Sequence, residues 1–205
     1  MKKKIDLKKQ LAAAYKASRK PVIVQVPPLS CLMIDGRGDP NTSPQFHQVM
    51  EALYGLSYTM KFASKMSGGP DWTVMGLEGL WWTDPQGTFR MDCPKDRWQW
   101  TMLIVQPEVV TREMFARTAK ELFAKKGNPA IAQVRLDRLA EGLCAQVLHV
   151  GPYDAEGPTI AALHEFIVAQ GQGQKPRGKH HEIYLGDPRR AAPEKLKTLL
   201  RQPIE

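Results

Sequence analysis

The stretch His180–Arg190, HHEIYLGDPRR, sets a carboxylate, Glu182, inside a run of Ile, Tyr and Leu that reads as a β-strand stopped by Gly-Asp-Pro. A strand alternates its side chains, so His180, Glu182 and Tyr184 share one face while His181, Ile183 and Leu185 share the other. If the apolar Ile183 and Leu185 pack against helices, Glu182 faces a cleft. A carboxylate among aromatic neighbours is costly to ionise, so either its pKa rises or a cation or hydrogen-bond donor meets it. Such a group is a candidate general base or cation ligand. The same alternation also fits a glutamate on the solvated side of a sheet.

Aromatic residues lie near by. All five tryptophans fall between Trp72 and Trp100. On extended chain Trp98 and Trp100 share a face, and either Trp81 or Trp82 must point away from the core. Together they form a wall for a planar aromatic or cationic ligand, or they are core packing. Glu78, in LEGLWW, stands beside the Trp pair; it is a second acid for the groove or an ion-pair partner of Arg90 or Arg97. Tyr153, in GPYDAEG, sits where a strand gives way to a helix. It is a turn residue, or a phenol that reaches the cleft and donates a hydrogen bond or proton.

Other chemistries fit less well. His180 and Glu182 are only two potential metal ligands, and His47, His149 and His164 fall on other elements, so no metal site is expected. DGRGDP lacks the third glycine of a dinucleotide fingerprint, no G-x-S-x-G elbow occurs, and no cofactor is expected. Cys31, Cys93 and Cys144 form no C-x-x-C pair and read as reduced thiols. The net charge is +8, but the first twenty residues hold eight Lys or Arg against Asp6 alone, leaving +1 for the rest. This basic arm reads as a solvated helix rather than a nucleic-acid tether. No signal peptide and no run of eighteen apolar residues appears, so the expectation is a cytoplasmic protein, a monomer or weak dimer.

These side chains need a scaffold. The length of 205 residues fits one domain, 21–205, preceded by the basic helical arm 1–20, with the arm's helix over Asp6–Ser18. VIVQV and SCLMIDGRG read as extended chain, and TSPQFHQVMEALYGLSYTMKFASK as a helix with a Pro near its start. The segments DWTVMGLEGLWW and WQWTMLIVQP form a hairpin, and TREMFARTAKELFAKKG is a helix, about 111–127, closed by Gly127. The order then recurs in VRLDRLAEGLCAQVLHVGPYD, PTIAALHEFIVAQ and HHEIYLGDP, while EKLKTLLRQPI is ambiguous between helix and strand. Spacings recur too: Cys31 and Cys144 each precede a glycine by seven residues, and Glu78 and Glu182 each precede Asp-Pro. An internal duplication of a strand-helix-strand-strand unit, with halves about 21–110 and 130–205, accounts for both. The fold expected is α+β: an antiparallel sheet with pseudo-twofold symmetry, helices on one face, and a ligand groove between the halves.

LEGLWWTDP, HVGPYDAEGPTIAALHEFI and the closing HHEIYLGDPRRAAPEKLKTLLRQPI make the chain, from about Pro21 onward, similar to the GyrI-like small-molecule-binding proteins. The resemblance implies a tandem strand-helix-strand-strand (SHS2-type) fold and a glutamate that meets cationic aromatic compounds, as in effector domains of multidrug-responsive regulators. The chain resembles the standalone members, and among them a Trp-Trp subgroup of hydrolases that open the cyclopropane of DNA-alkylating natural products. By that resemblance Glu182 is the central glutamate, Tyr153 the tyrosine of the GPY turn, and Trp81 and Trp82 the aromatic wall. Glu182 would act as a general base on water; sequestering or sensing a drug without turnover is the alternative.

Overall fold

The computed structural model describes residues 4–171 and 174–205. Eight strands, β1 (Val22–Val26), β2 (Leu29–Arg37), β3 (Glu78–Trp82), β4 (Gln99–Val105), β5 (Arg135–Leu139), β6 (Gly142–Val150), β7 (His180–Tyr184) and β8 (Lys197–Pro203), form one antiparallel sheet. Their order is β1-β6-β8-β7-β3-β4-β2-β5. Read from its middle, the sheet repeats itself: β3, β4, β2, β5 on one side answer β7, β8, β6, β1 on the other. The pseudo-twofold axis therefore passes between β3 and β7, where Gly79 pairs with Glu182. The outer strands are exchanged, with β1 of the first half beside β6 and β5 of the second beside β2.

Among the described residues four helices accompany the sheet: α1 (Leu7–Gln10), α2 (Pro44–Met66), α3 (Arg112–Lys126) and α4 (Gly157–Ala169). Long α2 buries Val49, Leu53, Leu56 and Met60, the i, i+4, i+7, i+11 stripe of an amphipathic helix. Phe46 of α2 meets Trp100 of β4 edge-on at 5.6 Å, and Thr159 of α4 meets His149 of β6 at 2.9 Å. These contacts put α2 and α4 on the same sheet face, and α3 packs on α2. Thr111 caps α3 by accepting from Met114 N, and Gly127 ends it in the left-handed region at φ 64°.

Two expectations change. The helix over Asp6–Ser18 shrinks to Leu7–Gln10; residues 1–3 of the arm lie outside the described residues. Beyond it the chain crosses the sheet face opposite α2 and α4. There the Ala14 and Lys16 carbonyls accept from Arg201 and Gln146, and these tertiary bonds override local helical preference. The side of the sheet on which Glu182 lies also changes. Glu182 shares its face with α2 and α4 and lies between them, whereas Ile183 points the other way, under the N-terminal segment. Covering by that segment, not by helices, is what makes His181 and Ile183 inward-facing. The ambiguous EKLKTLLRQPI segment resolves into a short 3-10 turn at Pro193–Lys195 followed by β8.

Candidate functional site

Strand alternation on β7 brings His180, Glu182 and Tyr184 to the helix-bearing face. Glu182 stands between Gly79 of β3 and Leu200 of β8, Tyr184 pairs with Thr198, and His180 pairs with Trp81. The space over Gly79 is what lets these groups converge. A Cβ there would lie 2.9 Å from the Trp81 indole nitrogen, 2.9 Å from Met102 Cε and 3.2 Å from the Tyr184 hydroxyl. Glycine leaves that point open, so indole and phenol both reach over it toward Glu182.

Glu182 is 7% exposed, and Tyr184 Oη donates to its Oε2 at 2.8 Å. A second carboxyl, Glu156 at the N-cap of α4, meets it and is 2% exposed. Burial raises both carboxyls above the usual carboxylate range, Glu156 further, because Glu182 repels its charge while Tyr184 partly offsets the burial of Glu182. Two buried acids in contact titrate as a pair, and burial favours keeping a proton on it. A pair that keeps one proton offers one base and one acid.

Polar atoms gather around this pair. Of the eight buried side-chain polar atoms without a hydrogen-bond partner in the chain among the described residues, five belong to Trp81, Glu156, His180 and Thr198. Thr198 lies beside Glu156 and Trp81 beside Glu182, while both His180 nitrogens stay unpaired, which leaves polar capacity for a molecule from outside the chain. His180 is fully buried, and burial, then the nearby His164 and His181, lower its pKa to about 3. It is a neutral imidazole, 3.7 Å from Glu182 Oε1. Phe89 stacks on it at 5.3 Å, and Phe89 and Trp81 both meet Trp98 edge-on, at 5.1 and 5.6 Å. Tyr153 closes the other side, its ring 5.5 Å from that of Tyr184. Burial, then the two glutamates, raise the Tyr153 hydroxyl to about 12, so it is a donor.

The fold brings together Glu182, Tyr153, Trp81, His180 and Tyr184. Trp100 lies on the same face but is fully buried, its ring beneath Gly36 and its indole N–H donating to the Gly38 carbonyl at 3.3 Å, so it is part of the floor. Trp82 and Glu78 are elsewhere. Both flank residues of the groove face by one position, and a one-residue step on a strand reverses the face. Trp82 carries Lys179 Nζ over its ring at 3.4 Å, and Glu78 joins a buried polar cluster behind the sheet. Glu156, Phe89 and Thr198 were not singled out by the sequence. The acid between a GPY turn and Gly-Pro was the available signal for Glu156, since that position opens a helix aimed at the cleft.

A cavity lies away from the acids. It measures about 370 Å³ and is lined by the N-terminal segment, the β1–β2 turn and the end of β4. Among the described residues that line it Glu108 is the one ionisable group, which gives it no pairing of acid and base.

A domain model described as the GyrI-like small molecule binding domain matches residues 19–205. The chain belongs to this GyrI-like family. No curated protein sequence matches it. Among solved structures, a hydrolase from Listeria innocua is 38% identical, with a TM-score of 0.85 over 98% of this chain and 100% of that one. A hydrolase encoded by lin2189 from the same organism is 39% identical, with a TM-score of 0.86 over 99% and 100%. The EcmrR C-terminal domain shares the fold at 12% identity, with a TM-score of 0.52 over 91% and 97%. The GyrI-like chain is thus a small-molecule-binding domain, and no helix among its described residues is long and apolar enough to cross a membrane.

Proposed function

We propose that this GyrI-like protein binds planar aromatic xenobiotics against Trp81, Trp98 and Phe89 and hydrolyses those that carry a cyclopropane conjugated to a dienone. The observation that carries the proposal is the Glu182–Glu156 pair, two buried carboxyls in one site beside a ring-lined wall, both raised by burial. The hydrolase relatives from Listeria innocua support a hydrolytic reading.

The chemistry balances with the groups present. Glu182 takes a proton from water as the water oxygen bonds to the unsubstituted ring carbon. The strained carbon–carbon bond breaks, its electron pair moves through the dienone, and the carbonyl oxygen becomes a phenol by accepting a proton. Glu156 supplies that proton, directly or through Tyr153, and return of the proton from Glu182 to Glu156 by the same route restores the starting state. Exclusion of bulk water strengthens each of these interactions.

Sequestration without turnover is the alternative, favoured by the aromatic wall, which needs no proton transfer to hold a flat ligand. Incubation with a cyclopropane-containing alkylator in H₂¹⁸O separates the two. Hydrolysis yields many equivalents of ring-opened phenol per protein, each with one ¹⁸O; sequestration yields bound, unopened compound in at most a stoichiometric amount.

A further inference from the structure

His180 is 1% exposed, and neither of its ring nitrogens has a hydrogen-bond partner among the described residues. A buried imidazole normally bonds through at least one nitrogen, because a buried polar group left unmatched costs about 1–3 kcal/mol. The ring is nevertheless held in place. Phe89 lies almost parallel to it, with centroids 5.3 Å and planes 11° apart, and Trp81 stands across from it in the β3–β7 pair. The stack covers a face of the imidazole, not the edge that carries its nitrogens.

That edge is turned to the base. His180 Nε2 is 3.7 Å from Oε1 of Glu182, two residues on along the same face of β7. Tyr184 donates to the other oxygen, Oε2, at 2.8 Å. The 3.7 Å separation is too long for a direct hydrogen bond, yet short enough for one water to touch both atoms with ordinary arms of about 2.8 Å. A water that donates to Oε1 keeps a second hydrogen and two lone pairs. Neutral His180 takes up one of these at Nε2, as acceptor or donor according to its tautomer, and in either case a lone pair remains for an electrophile. Burial keeps the ring neutral.

We infer that His180 is a catalytic residue which, together with Glu182 Oε1, seats the water that attacks the cyclopropane carbon. This role rests on the reading of Glu182 as general base. In the step the water gives one proton to Glu182 while its oxygen bonds to the ring carbon; its second hydrogen stays on the product hydroxyl, so His180 begins and ends neutral. The imidazole contributes position. Two fixed contacts define the water's place, where Glu182 alone would let it swing about Oε1. His180 therefore acts on kcat rather than on ligand binding.

Two experiments test this. The first needs neither substrate nor variant: a crystal structure of the unmodified protein, at a resolution that shows ordered solvent, should contain a water within about 2.6–3.2 Å of both His180 Nε2 and Glu182 Oε1. Lack of that water, or a direct bond between the two side chains, overturns the inference. The second measures turnover of a cyclopropane-containing dienone. His180→Phe keeps a flat ring under Phe89 and removes both nitrogens; kcat should fall by about 10- to 100-fold with KM little changed. His180→Gln, whose amide can hold the water, should recover part of the loss. Unchanged kcat in His180→Phe, or a raised KM with kcat intact, overturns the inference and leaves the role of Glu182 standing. Absence of turnover by the unmodified protein removes the proposed reaction instead, and the water in the substrate-free structure then decides the seat, as it does if neither variant folds.

Discussion

Tyr184 donates a 2.8 Å hydrogen bond to Oε2 of Glu182, the residue two before it on the same face of β7. A phenol that donates to a carboxylate favours its ionised form and so counters burial. Tyr184→Phe is expected to raise the Glu182 ionisation further. The rising limb of the kcat/KM–pH profile should move up by about one pH unit, as loss of a hydrogen bond worth about 1–2 kcal/mol implies. A limb that stays in place would remove this bond from the catalytic arrangement.

Gly79 is the open point under that bond. The Cβ of Gly79→Ala would enter 2.9 Å from both Trp81 Nε1 and Met102 Cε, closer than ordinary packing allows. Overpacking of this kind costs about 1–3 kcal/mol, and relief requires the indole and the phenol to move. Affinity for a planar aromatic ligand, read by tryptophan fluorescence quenching, should fall at least about tenfold. Unchanged affinity would place the ligand away from Trp81.

The acid pair weakens the fold that holds it. Because the folded pKa values of Glu156 and Glu182 lie above those of unfolded carboxyls, folding takes up protons. Their contribution to stability is fully present below the unfolded carboxyl pKa and is lost as pH rises through the folded values. Glu156→Gln removes that penalty. Thermal unfolding at pH 8 should show a variant more stable by about 1–3 kcal/mol, with the difference absent near pH 4 and turnover reduced. A variant less stable at pH 8 would mean that Glu156 is well paired in the native state.

Behind the sheet His181 follows the same sign and Glu141 the opposite one. His181, raised from 6.5 to about 9, contributes stability that is complete below the unfolded value and is lost as pH rises through about 9. Glu141, whose burial is outweighed by His181 and Arg201 so that it falls from 4.5 to about 2, contributes above its unfolded value and loses this as pH falls through about 2. Tyr15→Phe deprives the buried Glu78 Oε1 of its donor and should destabilise the protein by about 1–3 kcal/mol in urea unfolding. An unchanged midpoint would show the N-terminal segment to be loosely held.

Local pattern carried much of the architecture. The repeated strand-helix-strand-strand order and the period-two grouping of His180, Glu182 and Tyr184 both appear in the coordinates. The side of the sheet on which that group lies was not legible, because it depends on what covers the opposite face. The covering element is the basic N-terminal segment, whose composition advertises solvent and whose anchors, Tyr15 and the Ala14 and Lys16 carbonyls, are tertiary. Glu78 shows the same limit: adjacency to Trp81 in sequence reads as proximity, yet one step along β3 sends it through the sheet. Glu156 was missed because a lone acid at a helix start has an ordinary capping role, and only the fold sets Glu182 against it.

The most direct test is turnover of a cyclopropane-containing dienone by the purified protein and by Glu182→Gln, with ring-opened phenol quantified over time. General-base catalysis typically contributes 10² to 10⁴, so kcat in the variant should fall by at least about 10²-fold while the unopened compound still binds. Equal kcat in the two proteins would contradict the account.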